Sequence, residues 1–299
     1  MRSETTIDNI LEQENTILMD GSAGMLNTND WYKEGICGSK TFSQIPEQEL
    51  RQGIRAYNRG VELFSNPKVR TTEKVAQEMA EFERILREKL TRVTEIEAGI
   101  SSRTTLGAQY IDVREARRKL FEELCSTYGR MIELARKSVF LPGDRALLEK
   151  LESAAITVAE NTDAKKDFAK RNGQQRRKNK DSHADEQLVA TAIYLSVAER
   201  RQNCIITGDS DLGRILTDCK HFVLKSTDPN CRVIAEQLAT SPVRIYFTIA
   251  DKIYLAEDTS NLVAQRVDYQ GMMGPRAYNS LAVCVEAIIG CQQGSETQH

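Results

Sequence analysis

Residues 203–216, with the sequence NCIITGDSDLGRIL, contain the strongest fold signal in the chain. A short apolar run ends at Thr207, and two aspartates follow at Asp209 and Asp211 before a pattern typical of a helix. Short apolar runs that end at turn residues are typical of buried strands. The segment therefore predicts a strand, then a loop that carries two carboxylates, then a helix.

Strand and helix patterns alternate on both sides of this segment. Alternation around short apolar strands predicts a parallel, doubly wound α/β core. After residue 240 the pattern alternates in RIYFTIA (244–250), KIYLAED (252–258) and LVAQRVD (262–268), which predicts a small antiparallel β extension at 241–299. The predicted core strands are 15–20, 68–71, 204–207 and 221–226, and the predicted core helices are 45–64, 182–201 and 230–240.

The middle of the chain has a different composition, rich in Glu, Arg, Lys, Ala and Leu. We predict long helices at 74–99, 111–139 and 144–171, with Thr71 or Thr72 as the cap of the first and Asp144 as the cap of the third. Ser182 is the predicted cap of the core helix at 182–201. Their thin apolar stripes suggest a helical hairpin or arm rather than a compact core. The domains predicted are a core at 1–85 and 181–240, a helical insertion at 86–180 and the extension at 241–299.

A basic segment, residues 165–180, ends the insertion with eight basic residues and one acidic residue. A solvated loop is one interpretation, and a segment that binds phosphates is a compatible second one. The candidate nucleic-acid-binding residues are Lys170, Arg171, Arg176, Arg177, Lys178 and Lys180.

The bulk composition of the 299 residues narrows the class of protein. Hydrophobic residues make up 40% of the chain, which is enough for a packed core, and the net charge of -2 indicates no partner by itself. Seven scattered cysteines without a C-x-x-C pair favour reduced thiols over disulfides or structural zinc. No signal-peptide pattern or apolar span of about 20 residues is present, so we expect a cytoplasmic protein without a membrane partner.

Five acidic residues are predicted to converge at one edge of the sheet. Ligands of open parallel sheets bind beyond the carboxyl ends of the strands. A single aspartate there is more often a cap or turn residue, but clustered carboxylates repel one another unless cations neutralise them. Oxygen ligands without nearby histidine or cysteine suit Mg²⁺ or Mn²⁺. The residues are Asp20, Glu78, Asp185, Asp209 and Asp211.

Four short blocks together resemble the PIN domain, a metal-dependent nuclease fold. The resemblance implies a PIN-like parallel sheet flanked by helices. This chain is longer than ordinary PIN domains, has Leu212 in place of a phenylalanine, and carries an insertion and an extension beyond the minimal fold. The blocks are TILMDGSAGML (16–26), PKVRTTEKVAQEM (67–79), DEQLVATAIYL (185–195) and CIITGDSDL (204–212).

The resemblance implies a function and a role for each site residue. Asp20, Glu78, Asp185 and Asp209 would hold one or two Mg²⁺ or Mn²⁺ ions, which activate a water for hydrolysis of a phosphodiester bond. Asp211 would bind a second metal or support the ligands of the first. Thr207 would orient either a carboxylate or a metal-bound water by hydrogen bonding. Single-stranded RNA is the expected substrate of this endoribonuclease. A homodimer and a regulatory protein partner are both plausible in such a protein.

Two other functions stay open. ILMDGS and GDSDLG resemble motifs of the haloacid-dehalogenase phosphatases, but Ser22 stands where that family has an aspartate, and Asp211 follows Asp209 too closely. The other alternative is a non-catalytic module that binds nucleic acid or protein. A binding module would tolerate loss of the acidic residues and of divalent metal, whereas a nuclease would not.

Overall fold

The structure is a computed structural model, and it describes most of the chain, in seven segments. Within the described residues, six strands form one mixed sheet and eight helices pack around it. The α/β class predicted from the sequence is confirmed. The described residues are 4–21, 45–101, 108–161, 183–208, 210–225, 229–249 and 252–260.

The sheet has the strand order β1-β6-β5-β4-β2-β3. The four strands β3, β2, β4 and β5 run parallel, and β6 and β1 join antiparallel at one side. The strands are β1 (Glu4–Thr5), β2 (Thr16–Met19), β3 (Val69–Arg70), β4 (Asn203–Thr207), β5 (Val243–Ile249) and β6 (Lys252–Asp258).

The helices cover most of the remaining described chain. Among the described residues, none of them has the length and apolar character needed to cross a lipid bilayer. The helices are α1 (Ile7–Gln13), α2 (Glu47–Phe64), α3 (Glu73–Ser101), α4 (Ala108–Lys137), α5 (Arg145–Asn161), α6 (Ala184–Val197), α7 (Ser210–Lys225) and α8 (Pro229–Thr240).

The central strands β2 and β4 are buried on both faces. Ile17, Leu18 and Met19 have no exposed surface, and Ile205 lies opposite Leu18 in the parallel register. Strands covered by helices on both sides carry apolar residues at every position instead of alternating. This explains why the runs TILM and CIIT predict these two strands correctly.

The order of the parallel strands creates a switch point between β2 and β4. From β2 the chain passes to β3, which is the neighbour of β2 on one side. The chain later returns to β4, which is the neighbour of β2 on the other side. A short parallel bridge from Thr71 to Val139 extends the sheet beyond β3. Open sheets bind ligands in the crevice at such a point, beyond the carboxyl ends of the strands. We call this end of the parallel strands the carboxyl edge.

The predicted strand at 221–226 is wrong. Helix α7 continues through those residues to Lys225. The buried residues Leu212, Ile215, Leu216 and Cys219 follow one another at helical spacing on one side of α7. A short apolar run such as HFVL does not distinguish a strand from a buried helical turn, and the preceding helical pattern decides the outcome.

The long predicted helices are present as α3, α4 and α5, but parts of them belong to the core. The ring of Tyr128 in α4 lies 4.7 Å from Tyr57 of α2 and 5.0 Å from Phe82 of α3. All three rings are buried. The part of α4 around Tyr128 therefore packs against α2 and α3. The boundaries of the helical insertion stay a prediction. The spacing of the apolar residues shows that each helix has a thin apolar stripe, but it does not show which helix packs against that stripe.

The predicted β extension begins inside the main sheet. Strand β5 pairs in parallel with β4, and β6 pairs antiparallel with β5. The first two strands expected after residue 240 are thus confirmed as strands, and they complete the central sheet. The third expected strand, 262–268, lies outside the described residues.

At the other end of the sheet, a buried ion pair connects the residue range before β2 with β5. Glu14, which precedes β2, has no exposed surface, and its Oε1 lies 2.8 Å from Nη1 of Arg244 in β5. Arg244 Nε also pairs with Oδ2 of Asp258 in β6 at 3.1 Å. Burial would lower the pKa of Arg244, but the hydrogen bonds and charges of Glu14 and Asp258 outweigh burial and raise it. Arg244 therefore stays charged and neutralises Glu14.

Two neighbouring side chains remain neutral beside this pair. Burial, and then the charge of Glu14, raise the pKa of Tyr246, whose hydroxyl donates to Glu14 Oε1 at 3.4 Å. Burial also raises the pKa of the Cys204 thiol. No described residue donates to Glu14 Oε2, so the carboxylate depends on Arg244 for most of its compensation.

We expect Arg244→Met to lower the free energy of unfolding by about 3 kcal/mol, because it leaves the carboxylate of Glu14 buried without its cation. Urea unfolding followed by circular dichroism measures this change. The double variant Glu14→Gln/Arg244→Met should regain much of the loss, since it also removes the buried charge.

Arg51→Met is the matched control. Arg51 pairs with Glu47 on the exposed side of α2 at 2.8 Å, and exposed pairs contribute only about 0.5 kcal/mol. Equal losses in Arg244→Met and Arg51→Met would contradict the importance assigned to the buried pair.

Candidate active site at the carboxyl edge of the sheet

Asp20 lies at the switch point between the two central strands. Its backbone N–H donates to the carbonyl oxygen of Ile206 at 3.1 Å, which continues the β2–β4 ladder by one residue. Its carboxylate Oδ2 accepts a 2.9 Å hydrogen bond from Oγ1 of Thr207, the last residue of β4. Asp20 is only 6% exposed. The carboxylate is therefore held where the ends of β2 and β4 meet.

Three threonine hydroxyls join the ends of the parallel strands. Beyond its bond to Asp20, Thr207 accepts at its carbonyl from Thr248 Oγ1 in β5 at 3.3 Å. On the other side, Thr71 Oγ1 after β3 donates to the carbonyl of Met19 in β2 at 3.0 Å. These bonds tie four neighbouring strands together at the carboxyl edge, so Asp20 has a well-supported position.

The helical turn that carries Glu78 packs against the residue after Asp20. A Cβ atom placed on Gly21 would lie 3.4 Å from Met79 Cγ and 3.8 Å from Val75 Cγ1. Glu78 lies between these two residues in α3 and is half-buried. The close approach of Gly21 thus brings the turn of Glu78 beside the segment of Asp20.

The start of helix α3 is defined by a side-chain cap. Thr72 Oγ1 accepts from the backbone N–H of Val75 at 3.4 Å, and Thr72 itself is buried. The sequence predicts either Thr71 or Thr72 in this role, and the structure selects Thr72. The cap sets the helix to begin directly at the carboxyl edge.

Asp185 lies in the first turn of helix α6, which leads back into β4 and packs against it. The side chain of Gln187, in the same turn, accepts from the backbone N–H of Lys74 at 3.0 Å, so the starts of α6 and α3 are in contact. The predicted cap Ser182 lies outside the described residues. His183 precedes the helix in a left-handed conformation, with φ 49°, and makes no side-chain cap hydrogen bond.

The structure thus brings part of the predicted site together. Asp20 and Thr207 are in direct contact, and the helical turns of Glu78 and Asp185 meet the same edge. Asp209, the side chain of Asp211 and all six basic residues predicted to bind nucleic acid lie outside the described part. Within that part, no three histidine, cysteine or acidic residues form a group that could hold a metal ion.

A polar network beside this edge escapes the sequence analysis. Lys74 Nζ forms an ion pair with Glu152 Oε1 of α5, and Gln187 Nε2 donates to Glu152 Oε2 at 3.2 Å. The three residues belong to three different helices. Gln187 falls within the DEQL block, but no spacing in the sequence indicates that Glu152 is its neighbour.

A cavity of about 380 Å³ opens elsewhere, between α3 and α4. Its walls carry three glutamates and three arginines, among them the paired Glu83 and Arg87. None of the predicted site residues lines it. The balanced charge selects no ligand, so we place the candidate site at the carboxyl edge instead.

The geometry defines an α/β protein with a buried carboxylate at the switch point of its sheet. No protein-family model, curated protein or solved structure matches this chain significantly. Because one fold hosts many functions, the function has to be argued from the site.

We expect Thr207→Val to lower the free energy of unfolding by about 1–3 kcal/mol, because it removes a hydroxyl donor from a buried carboxylate while keeping the side-chain shape. Urea unfolding gives the value. Thr207→Ser keeps the hydroxyl, and its loss should be closer to that of one buried methyl group, about 0.8 kcal/mol.

Thr248→Val is the control, because the same substitution there removes a longer bond to a neutral carbonyl group. Its effect should be the smaller of the two. If the two variants lower the free energy of unfolding equally, then the carboxylate of Asp20 does not make its bond to Thr207 stronger than a bond to a neutral carbonyl group.

Proposed function

We propose that this protein is a metal-dependent nuclease that hydrolyses phosphodiester bonds, with single-stranded RNA as its substrate. The observation that carries the proposal is the buried carboxylate of Asp20, held by Thr207 between the ends of β2 and β4. The segment with Asp209 and Asp211 follows Thr207 directly in the chain. The choice of RNA rests on the PIN-like motif set alone.

The donor chemistry fits a hard divalent cation. Asp20, Glu78 and Asp185 offer carboxylate oxygens, which are the ligands that Mg²⁺ and Mn²⁺ prefer. The described carboxylates do not form a complete group by themselves, and Asp209 and Asp211 would complete the set. When bound, Mg²⁺ or Mn²⁺ lowers the pKa of water and stabilises the charge on the leaving oxygen of a phosphodiester.

The residues of the chain would bind and orient the reacting groups. Thr207 fixes the direction of the Asp20 carboxylate through Oδ2, and Thr71 and Thr248 keep the strand ends from moving apart. The N-termini of α3, α6 and α7 all lie at this edge. Backbone N–H groups and dipoles at helix N-termini favour a phosphate anion there.

We expect the wild-type protein to cut labelled single-stranded RNA in Mn²⁺ or Mg²⁺ and not in EDTA. Asp20→Asn, Glu78→Gln and Asp185→Asn should each reduce the cleavage rate by about 100-fold or more, equal to about 2.7 kcal/mol of lost transition-state stabilisation. The physical reason is the loss of one anionic ligand oxygen. Gel analysis of cleavage products measures the rates.

Glu73→Gln is the matched control, because Glu73 is exposed on the same helix as Glu78. It should cut at the wild-type rate. Parallel reactions with single-stranded DNA and with p-nitrophenyl phosphate separate the alternatives. Hydrolysis of the small phosphate ester without cleavage of either nucleic acid would favour a phosphatase and contradict the proposal.

Metal binding gives a readout that does not depend on cleavage. At a Mn²⁺ concentration 100 times its Kd, the folded state should gain about 2.7 kcal/mol, which corresponds to a rise in Tm of roughly 5 °C or more. Asp20→Asn should lose most of this rise, whereas Asp8→Asn, an exposed change in α1, should keep it. Equal rises in both variants would remove Asp20 from the metal site.

A further inference from the structure

Three polar side chains beside the candidate site form one connected network, which we call the clamp. It consists of Lys74 at the start of α3, Glu152 in α5 and Gln187 at the start of α6. Lys74 Nζ pairs with Glu152 Oε1, Gln187 Nε2 donates to Glu152 Oε2 at 3.2 Å, and Gln187 Oε1 accepts from the Lys74 backbone N–H at 3.0 Å. Each member therefore contacts both of the others.

The clamp satisfies a backbone group that helix α3 cannot satisfy internally. The first four N–H groups of a helix lack partners within the helix. Thr72 caps the N–H of Val75, and the amide of Gln187 accepts from the N–H of Lys74. One helix thus caps the N-terminus of another, which fixes the distance between the two helix starts.

The clamp is partly shielded from solvent. The side chains of Lys74 and Glu152 are 28% and 15% exposed. Ordering each long polar side chain costs roughly 1.5–2 kcal/mol of conformational entropy, so such a network contributes more to geometry than to net stability. The clamp therefore specifies a single arrangement of the starts of α3 and α6.

The position of the clamp links it to two of the proposed ligands. Lys74 lies one helical turn before Glu78 in α3, and Gln187 lies two residues after Asp185 in α6. Any change in the contact between the helix starts must move these two carboxylates relative to each other. Neither carboxylate lies on a strand, so the placement of its helix sets the position of each one.

We propose that Lys74, Glu152 and Gln187 are positioning residues that set the spacing of Glu78 and Asp185 for binding of a divalent cation. This inference rests on the proposed metal site. It assigns the three residues no contact with substrate. Supporting residues behind metal ligands typically change metal affinity by about 10-fold when they are removed.

Charge alone predicts the opposite result for one member of the clamp. Removing the positive charge of Lys74 near a cation site should strengthen Mn²⁺ binding if only electrostatics matters. If Lys74 acts by holding Glu152 in place, its removal should weaken Mn²⁺ binding. The direction of the change in Lys74→Met therefore separates positioning from simple charge.

The experiment is titration of the full chain with Mn²⁺ by calorimetry, with urea unfolding of every variant as a check on folding. We expect Gln187→Met, which leaves the charge unchanged, to raise the Kd for Mn²⁺ by about 10-fold. Lys74→Met should raise the Kd by at least threefold, and Lys74→Arg, which keeps an ion pair with Glu152, should stay within twofold of wild type. Glu73→Gln, next to the clamp but exposed, should also stay within twofold.

The outcomes separate failure of the clamp from failure of the proposed function. Wild-type Mn²⁺ binding with an unchanged Kd in Gln187→Met, or a lower Kd in Lys74→Met, would overturn the clamp and leave the proposed metal site intact. No Mn²⁺ binding by folded wild type would overturn both. If Gln187→Met fails to fold, Lys74→Met and its Arg counterpart decide the matter.

Discussion

The hydrogen bond from Thr207 to Asp20 joins the two strands on which the candidate site depends. A carboxylate that is nearly excluded from water costs free energy unless it accepts hydrogen bonds, and bonds to a charged acceptor are stronger than neutral ones. The bond exists because β2 and β4 are neighbours in parallel register, so that their carboxyl ends lie side by side. The strand order that creates the switch point therefore also places this carboxylate beside Thr207.

The two ends of the sheet treat a buried carboxylate differently. At the end where β2 begins, Glu14 pairs with the charged Arg244, and the pair serves to hold β5 and β6 against the start of β2. At the carboxyl edge, the hydroxyl of Thr207 donates to Asp20, and the start of α3 packs against the next residue, Gly21. The first arrangement is that of a structural pair, and the cation-binding role of the second carboxylate is a proposal.

Much of the fold and part of the site can be predicted from the sequence, because the local pattern of apolar residues indicates which segments are buried. The runs TILM and CIIT mark strands covered on both faces, and the threonine at the start of α3 marks a helix cap. The run HFVL misleads because its three consecutive apolar residues suit either a strand or a helix. Tyr128 shows the same limit, since its charged helix gives no sign of the aromatic partners in α2 and α3.

The sequence by itself determined that Asp20 follows a buried strand, that Thr207 ends another, and that Glu78 and Asp185 lie near the starts of helices. These are local properties, set by periodicity and capping within a few residues. Only the tertiary structure decided that Thr207 meets Asp20 across 187 positions and that Gln187 caps α3 and contacts Glu152. Such contacts depend on strand order and helix packing, which arise from the burial of the whole core and leave no local pattern in the sequence.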